Sequence, residues 1–268
     1  MKKSLLTLKY LVLIIFVLVS IFPYYWMIIT SLCEHEWIGN PTIFPIPPYL
    51  GCFKNALFDY PFLRWTLNTF IISISGTLGC LFFASLAAFS FSCLQWKFRD
   101  LIFYVLLSTL FLPAFLMVIP QFLFIAEIGW MDTYWGIFIP SWFSMITVFL
   151  LRQYFFSIPN EILNAARIDG ANLWQIYWKL VIPNSKIVLM TLFVFNFVGQ
   201  WNSFLWPLLV TQSNKMDVLA VGMASFGGDF NITYNQIMAG SILSLAPILL
   251  MFIFLSKYVS KGLEMRIT

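Results

Sequence analysis

Six long stretches of this chain contain no Asp, Glu, Lys, Arg or His: residues 10–31, 66–94, 101–125, 135–151, 187–210 and 236–256. A bilayer core about 30 Å thick needs roughly 20 apolar helical residues to cross it. Where water is absent, each peptide group must find its partner inside its own segment. These runs do not alternate as barrel strands do, so helices are the only solution. The expectation is an all-α polytopic membrane protein, a single transmembrane domain over residues 1–268 with six transmembrane helices. Composition closes off the alternatives. Apolar residues make up 61% of the chain and charged residues 10%, against roughly 25% charged in soluble proteins. Disorder is excluded by the hydrophobicity. A net charge of +4 over 268 residues makes no basic stripe for nucleic acid.

Charge sets the orientation. With the N-terminus inside, every Lys and Arg except Lys54, Arg64 and Lys215 falls on the inner side. That bias places both termini in the cytoplasm. The first stretch follows Lys2 and Lys3, as a signal peptide would. It is too long for one and lacks a small-x-small cleavage site, so it reads as a retained span. Prolines at 23, 113, 120, 140, 207 and 247 lie within the stretches and read as packing kinks rather than hinges.

The remaining residue types offer little chemistry. Cys80 and Cys93 read as small buried apolar residues. Cys33 and Cys52 share an outer loop and either pair or stay free, since loop sequence does not place their Cα atoms. His35 stands alone. Asn231-Ile232-Thr233 matches a glycosylation sequon by three residues only. No metal site and no catalytic residue is expected. No stretch carries the Asp, Glu or His with which ion-driven carriers bind their coupling ion. Energy for uphill transport would then enter from outside the membrane.

The largest inner segment, residues 152–186, is where it would enter. Pro159 suits a helix start and Glu161 complements its dipole. Asp169-Gly170 is a stop, with glycine free to turn left-handed. From about Ala171 a second helix places Leu173, Ile176, Tyr177 and Leu180 on one face, and Pro183 ends it. Small residues Ala165, Ala166 and Gly170 gather at the turn. Two readings fit this shape: a knob that docks on a partner, or an amphipathic helix on the lipid surface.

The run Ile158-Pro159-x-Glu161-x-x-Asn164-Ala165-Ala166-x-Ile168-Asp169-Gly170-Ala171, with Ile182-Pro183 beyond it, resembles the EAA loop of permease subunits in binding-protein-dependent ABC importers. Leu67-Asn68-Thr69, Pro120-Gln121-Phe122, Gly129-Trp130-Met131-Asp132-Thr133, Phe195-Asn196-Phe197 and Trp201-Asn202-Ser203-Phe204-Leu205-Trp206-Pro207-Leu208 resemble the carbohydrate branch, the second permease of maltose-type systems. The likeness spans nearly the whole chain. It implies the type I importer permease fold in a bacterial plasma (inner) membrane. It also implies a second permease forming a heterodimer, a cytoplasmic ATPase dimer and an extracellular solute-binding protein. The ATPase-coupling residues would be Glu161, Asn164, Ala165, Ala166, Asp169, Gly170 and Ala171. The family's first EAA position is usually Glu; here it is Asn164, and the usual Leu-Pro is Ile182-Pro183.

No Gly-rich loop ending in Gly-Lys-Ser/Thr occurs. The chain is expected to be non-catalytic and to bind no cofactor, with ATP and Mg on the partner ATPase. For the solute path, Asn196, Gln200, Trp201 and Asn202 offer stacking with polar groups. Hydrogen bonding between helices explains Asn196 and Gln200 equally well. The competing function classes are an ATP-independent secondary transporter or channel, and a non-transporting membrane scaffold retaining a degenerate docking loop.

Overall fold

The computed structural model describes residues 2–34, 44–226 and 233–264. His35 and the first two residues of the 231–233 sequon lie outside them. Among the described residues all regular structure is helical. The helices are α1 (Lys2–Ser31), α2 (Gly51–Phe58), α3 (Phe62–Cys93), α4 (Arg99–Ser108), α5 (Phe115–Glu127), α6 (Tyr134–Phe138), α7 (Met145–Phe155), α8 (Asn160–Ile168), α9 (Leu173–Ile176), α10 (Ile182–Asn184), α11 (Lys186–Trp201), α12 (Leu205–Val210), α13 (Leu219–Phe226) and α14 (Tyr234–Glu264). Two compact units arise: residues 1–64 with 222–248, and residues 65–221 with 249–268.

Four helical segments are long and apolar enough to cross a membrane alone: Leu8–Ser31, Phe62–Cys93, Tyr134–Phe155 and Tyr234–Ile253. Two further bent pairs bring the number up to six if each pair is one span. The expected continuous span over 101–125 is one of these pairs. Arg99–Phe111 and Phe115–Glu127 meet at 102°. Pro113 is the cause: it lacks an N–H and drives Leu112 to an extended ψ of 129°. The packing kink expected at Pro113 is therefore a break. Pro23 and Pro247, by contrast, stay inside long helices.

The inner segment also differs from expectation. Pro183 does not end the second helix. A π-helical stretch, Tyr177–Val181, carries α9 into α10. The path Leu173–Asn184 then turns by 76° at Ser185 into Lys186–Trp201. Pro183 lies within the continuous path Leu173–Asn184, directly after the π segment, and its ring does not end the helix. The span expected over 187–210 is interrupted at Asn202–Phe204, after which α12 resumes. Leu173, expected on the buried face, is exposed; that face is built by Ile176, Tyr177 and Val181.

In the first unit α1 is apolar on all sides from Tyr10 onward, and the buried ones among its described side chains are Ile29, Thr30 and Ser31. A helix apolar all round belongs in lipid or against another membrane subunit. The Leu32 carbonyl accepts from the Tyr49 amide at 2.8 Å. The Cys33 carbonyl accepts from the Asn235 side chain at 2.9 Å. Cys33 and Cys52 are both buried and no disulfide joins them, so the pairing left open by the sequence is not made.

The core of the second unit packs α3 against α7, α8, the 173–181 segment and α11. Phe103, Leu151, Phe155, Tyr177 and Val181 are fully buried there. Gly79 on α3 leaves room for the Trp142 indole, which a Cβ would overlap. The indole N–H of Trp142 donates to the Ser75 carbonyl at 3.1 Å.

At one end of this core Arg152, only 4% exposed, ties three elements together. It donates to Asp100 at 2.6 Å and to the Phe91 carbonyl at 3.1 Å, and its guanidinium lies 3.8 Å from the Phe103 ring centroid. A buried cation requires such partners. Replacing it with alanine strands the carbonyl and opens a cavity. Arg152→Ala should destabilise the folded chain by about 2–4 kcal/mol, read as a lower melting temperature in detergent. Lysine, which keeps the charge without the planar fork, should recover only part of the loss.

Candidate functional site: the 157–185 loop and the cluster around Asn68

The loop is a folded unit. α8 ends in a Schellman closure: the Gly170 amide bonds the Arg167 carbonyl at 3.1 Å, and the Ala171 amide bonds the Ala166 carbonyl at 2.9 Å. Gly170 has φ +81°, the left-handed conformation that glycine adopts without strain. Asn172 and Gln175 then form a reciprocal capping box that starts α9, each side chain bonding the other's amide. The Asn-x-x-Gln spacing that makes this box is legible in the sequence.

Two faces of the loop divide sharply. Inward, Leu163, Ile176 and Tyr177 are buried. The Tyr177 hydroxyl meets Ser85 Oγ at 2.7 Å, and its ring packs edge-on to Phe89 at 5.4 Å. Arg167 donates to the Cys93 carbonyl at 2.9 Å and to Asn164 Oδ1 at 3.2 Å. Tyr154 donates to the Asn184 carbonyl. Outward, the tip exposes Ile162, Ile168, Leu173, Trp174 and Trp178, with Ile168 87% exposed. Of the sequence-selected residues, Glu161, Asn164, Ala165, Asp169 and Gly170 are exposed, while Ala166 and Ala171 are half-buried. The seven share one short helix and its turn.

The four solute-path candidates do not gather on one surface. Asn196 donates to the Leu192 carbonyl at 2.9 Å, and its Oδ1 accepts from Cys80 Sγ and the Thr147 hydroxyl at 3.6 and 3.5 Å. It joins α11 to α3 and α7. Gln200 is half-buried beside Gly76 of α3. Trp201 is buried and stacks on Phe197 at 5.7 Å. Asn202, at the end of α11, is exposed and bonds the Val198 carbonyl.

Two of the sequence motifs meet at a cluster on the side expected outside. Asn68, 1% exposed, donates to the Lys215 and Asp217 carbonyls at 2.9 and 2.8 Å and accepts from the Tyr134 hydroxyl at 2.7 Å. Thr69 accepts from the Leu219 amide at 2.7 Å. Asp132, left-handed at φ +57°, accepts from the Gln212 and Ser213 amides and the Ser213 hydroxyl. Its own amide bonds the Val210 carbonyl. Segment 211–218 is thus pinned to α3 and to the 129–134 turn. Sequence reading marked these motifs but gave them no role, because their partners are 147 and 149 residues away for Asn68 and 80 and 81 for Asp132.

The two carboxylates here are pushed in opposite directions. Burial raises the Asp132 carboxyl, but the Gln212 and Ser213 donors outweigh it and hold it below the usual range. Burial raises Asp217, and the nearby Asp132 charge adds to that despite the Thr211 hydrogen bond. Charged Asp132 therefore stabilises the fold at neutral pH, and that stability is lost as pH falls through its lowered folded value. Charged Asp217 opposes folding until pH falls through its raised value. Asp132→Asn should lower the melting temperature at pH 7, and Asp217→Asn should raise it, the latter gain vanishing in acid. Asn68→Ala, which leaves buried carbonyls unpaired, should cost about 1–3 kcal/mol and speed amide exchange across 211–219.

Among the described residues no three His, Cys, Asp or Glu side chains are placed to hold a metal. Comparison with known proteins gives the family. Residues 80–265 match the model of the binding-protein-dependent transport system inner membrane component. The chain is 31% identical to the sn-glycerol-3-phosphate transport system permease protein UgpE of Yersinia pestis bv. Antiqua (strain Antiqua), covering 95% of this chain and 94% of that protein. It is 28% identical to the arabinooligosaccharides transport system permease protein AraQ of Bacillus subtilis (strain 168), covering 92% and 89%. The fold matches a chain of a bacterial ABC transporter involved in the import of the acidic polysaccharide alginate, with TM-score 0.87 at 23% identity over 96% of each chain. With a family model over most of its length and a permease relative at 31% identity end to end, the chain belongs to the inner membrane components of binding-protein-dependent transport systems.

Proposed function

We propose that this chain forms half of the membrane pathway of an ABC importer for a sugar or a related polyol phosphate, with its 157–185 loop as the contact to a cytoplasmic ATPase. The names of its relatives supply the solute class. A second permease forms the other half, and an extracellular binding protein delivers the solute. ATP and Mg act on the ATPase, and this chain performs no chemistry. Both termini and the loop lie in the cytoplasm, as the Lys and Arg bias indicates.

One observation carries the docking reading over the lipid-surface reading. The exposed tip joins Ile162, Ile168 and Trp174 to the carboxylates Glu161 and Asp169, while its cation Arg167 bonds back to the Cys93 carbonyl. Helices that lie on membranes carry Lys and Arg on the polar face, and the inner leaflet is negative. An apolar tip flanked by acids is repelled by that surface and suited to a protein cleft. Because the inward face is fixed to α3, movement of the docked tip is transmitted to the spanning helices.

Affinity purification from the native membrane in mild detergent should recover a second permease and an ATPase. Recovery of the chain alone would return weight to a secondary transporter or a scaffold. Ile168→Asp alters a side chain that packs against nothing in the fold, so the melting temperature should stay within about a degree of wild type. The same change should lower transport and permease-stimulated ATP hydrolysis about tenfold. Retention of both activities in Ile168→Asp and Gly170→Asp would refute the docking role.

A further inference from the structure

The inward side of the loop encloses a second feature that the docking reading does not use. A cleft of about 350 Å³ lies between α8 and the ends of α3 and α7, lined by Ser92, Gln95, Arg99, Asn160, Asn164 and Arg167 over an apolar floor that includes Phe155 and Leu163. None of the residues lining it is an acid. Two guanidinium groups face a space with no carboxylate of its own.

Both cations keep unused donors. Arg99 spends three N–H groups, two on Asp100 and one on the Leu94 carbonyl. Arg167 spends two, on Asn164 and the Cys93 carbonyl. A guanidinium has five. Asp100 is shared with Arg152 at 2.6 Å, so one carboxylate answers Arg99 and Arg152 together while Arg167 has none. The positive potential of the cleft comes from the two guanidinium groups, since Glu161 in the first turn offsets the dipole of α8. Its cap position is Pro159, which supplies no side-chain bond to the first amides. Asn160, Asn164 and Arg167 fall at i, i+4 and i+7 on the cleft side of that helix. Asn164 matters twice. A carboxylate there, as the family usually has, would neutralise the cleft; asparagine leaves it cationic.

We infer that this cleft binds a phosphate group, held by Arg99 and Arg167 with Asn160, Asn164 and Gln95 as neutral donors. Paired guanidinium forks suit the tetrahedral oxygens of phosphate, and the volume suits a ligand of metabolite size. The group has two sources of the same chemistry. One is a free phosphorylated solute. The other is an anionic lipid headgroup, for the exposed rings of Trp96 and Phe98 flank the Arg99 side of the cleft. Occupancy would brace α8 against the α3–α4 turn, stiffening the loop from behind.

The test uses the full chain in a phosphate-free glycoside detergent. Binding of radiolabelled inorganic phosphate is measured by equilibrium dialysis at constant ionic strength, with chloride as control. Native mass spectrometry follows retention of phosphatidylglycerol against diacylglycerol, which lacks the phosphate. Arg167→Gln and Asn164→Glu are compared with wild type, and Gln95→Glu places a carboxylate in the cleft from outside the loop. Saturable phosphate binding weakened about tenfold by each variant establishes the site for free phosphate. Selective retention of phosphatidylglycerol, lost in the same variants, establishes it for lipid. Absence of both, or binding that Asn164→Glu and Gln95→Glu leave unchanged in folded protein, overturns the inference. The outcome is independent of whether Ile168→Asp uncouples the ATPase.

Discussion

Every peptide group that this chain takes out of water must be paired within the protein, and the fold is organised around the places where helical pairing fails. Unbroken stretches such as α3 satisfy themselves. At several interruptions a side chain supplies a bond that the helix no longer makes. The break at Phe143 and Ser144 is closed by the Ser144 hydroxyl, which accepts from the Thr147 amide and meets the Thr147 hydroxyl at 2.9 Å. Trp142 caps the Ser75 carbonyl across to α3. Trp206 donates to the Gly136 carbonyl at 3.1 Å, next to a glycine that has no room for a Cβ against the Trp130 carbonyl. Irregular backbone at membrane depth persists only where such partners exist. The polar residues within the apolar runs are therefore the joints of the structure.

The same logic explains why the 157–185 loop can act as a lever. A loop with its own caps but no attachment would swing freely. Here the Schellman closure at Gly170 and the Asn172–Gln175 box make the tip rigid, Tyr177 and Arg167 bond the loop to α3, and Tyr154 of α7 bonds the Asn184 carbonyl at its far end. The π segment at 177–181 contributes directly. It inserts into the helical ladder beside the residues that anchor the loop, placing Tyr177 and Val181 both in the core. The 76° turn at Ser185 then redirects the path into α11. A displacement of the tip is carried into helix positions rather than absorbed by slack.

Much of this was legible in the residues, and the limits of legibility have physical causes. Charge-free runs locate the apolar helices, since exclusion of ionisable groups is a local property. The Gly170 stop is local too, and its φ of +81° is the conformation that the Asp-Gly pair foretells. Pro113 was read as a kink because sequence gives the loss of an N–H but not whether neighbouring helices restore it; here the chain turns by 102°. Pro183 suits a stop by its chemistry, yet the helical path Leu173–Asn184 continues through it beside the π segment. Leu173 shares a 3.6-residue face with Ile176 and Tyr177, yet as the first residue of α9 it lies at the edge of that face and stays exposed. The cluster around Asn68 and Asp132 was invisible as a site because its bonds run to backbone carbonyls and amides on distant segments, and backbone groups have no sequence signature.

Asn164 shows how one position can bear on both faces of a short helix. Its side chain accepts from Arg167, and that bond lies between the outward tip and the inward cleft. With glutamate in its place the pair would be ionic, Arg167 would be neutralised, and the exposed carboxylate would add to Glu161 and Asp169 on the docking side. With asparagine the tip depends more on its apolar contacts, and the guanidinium keeps its charge toward the cleft. The substitution therefore removes negative charge from both faces of α8 at once.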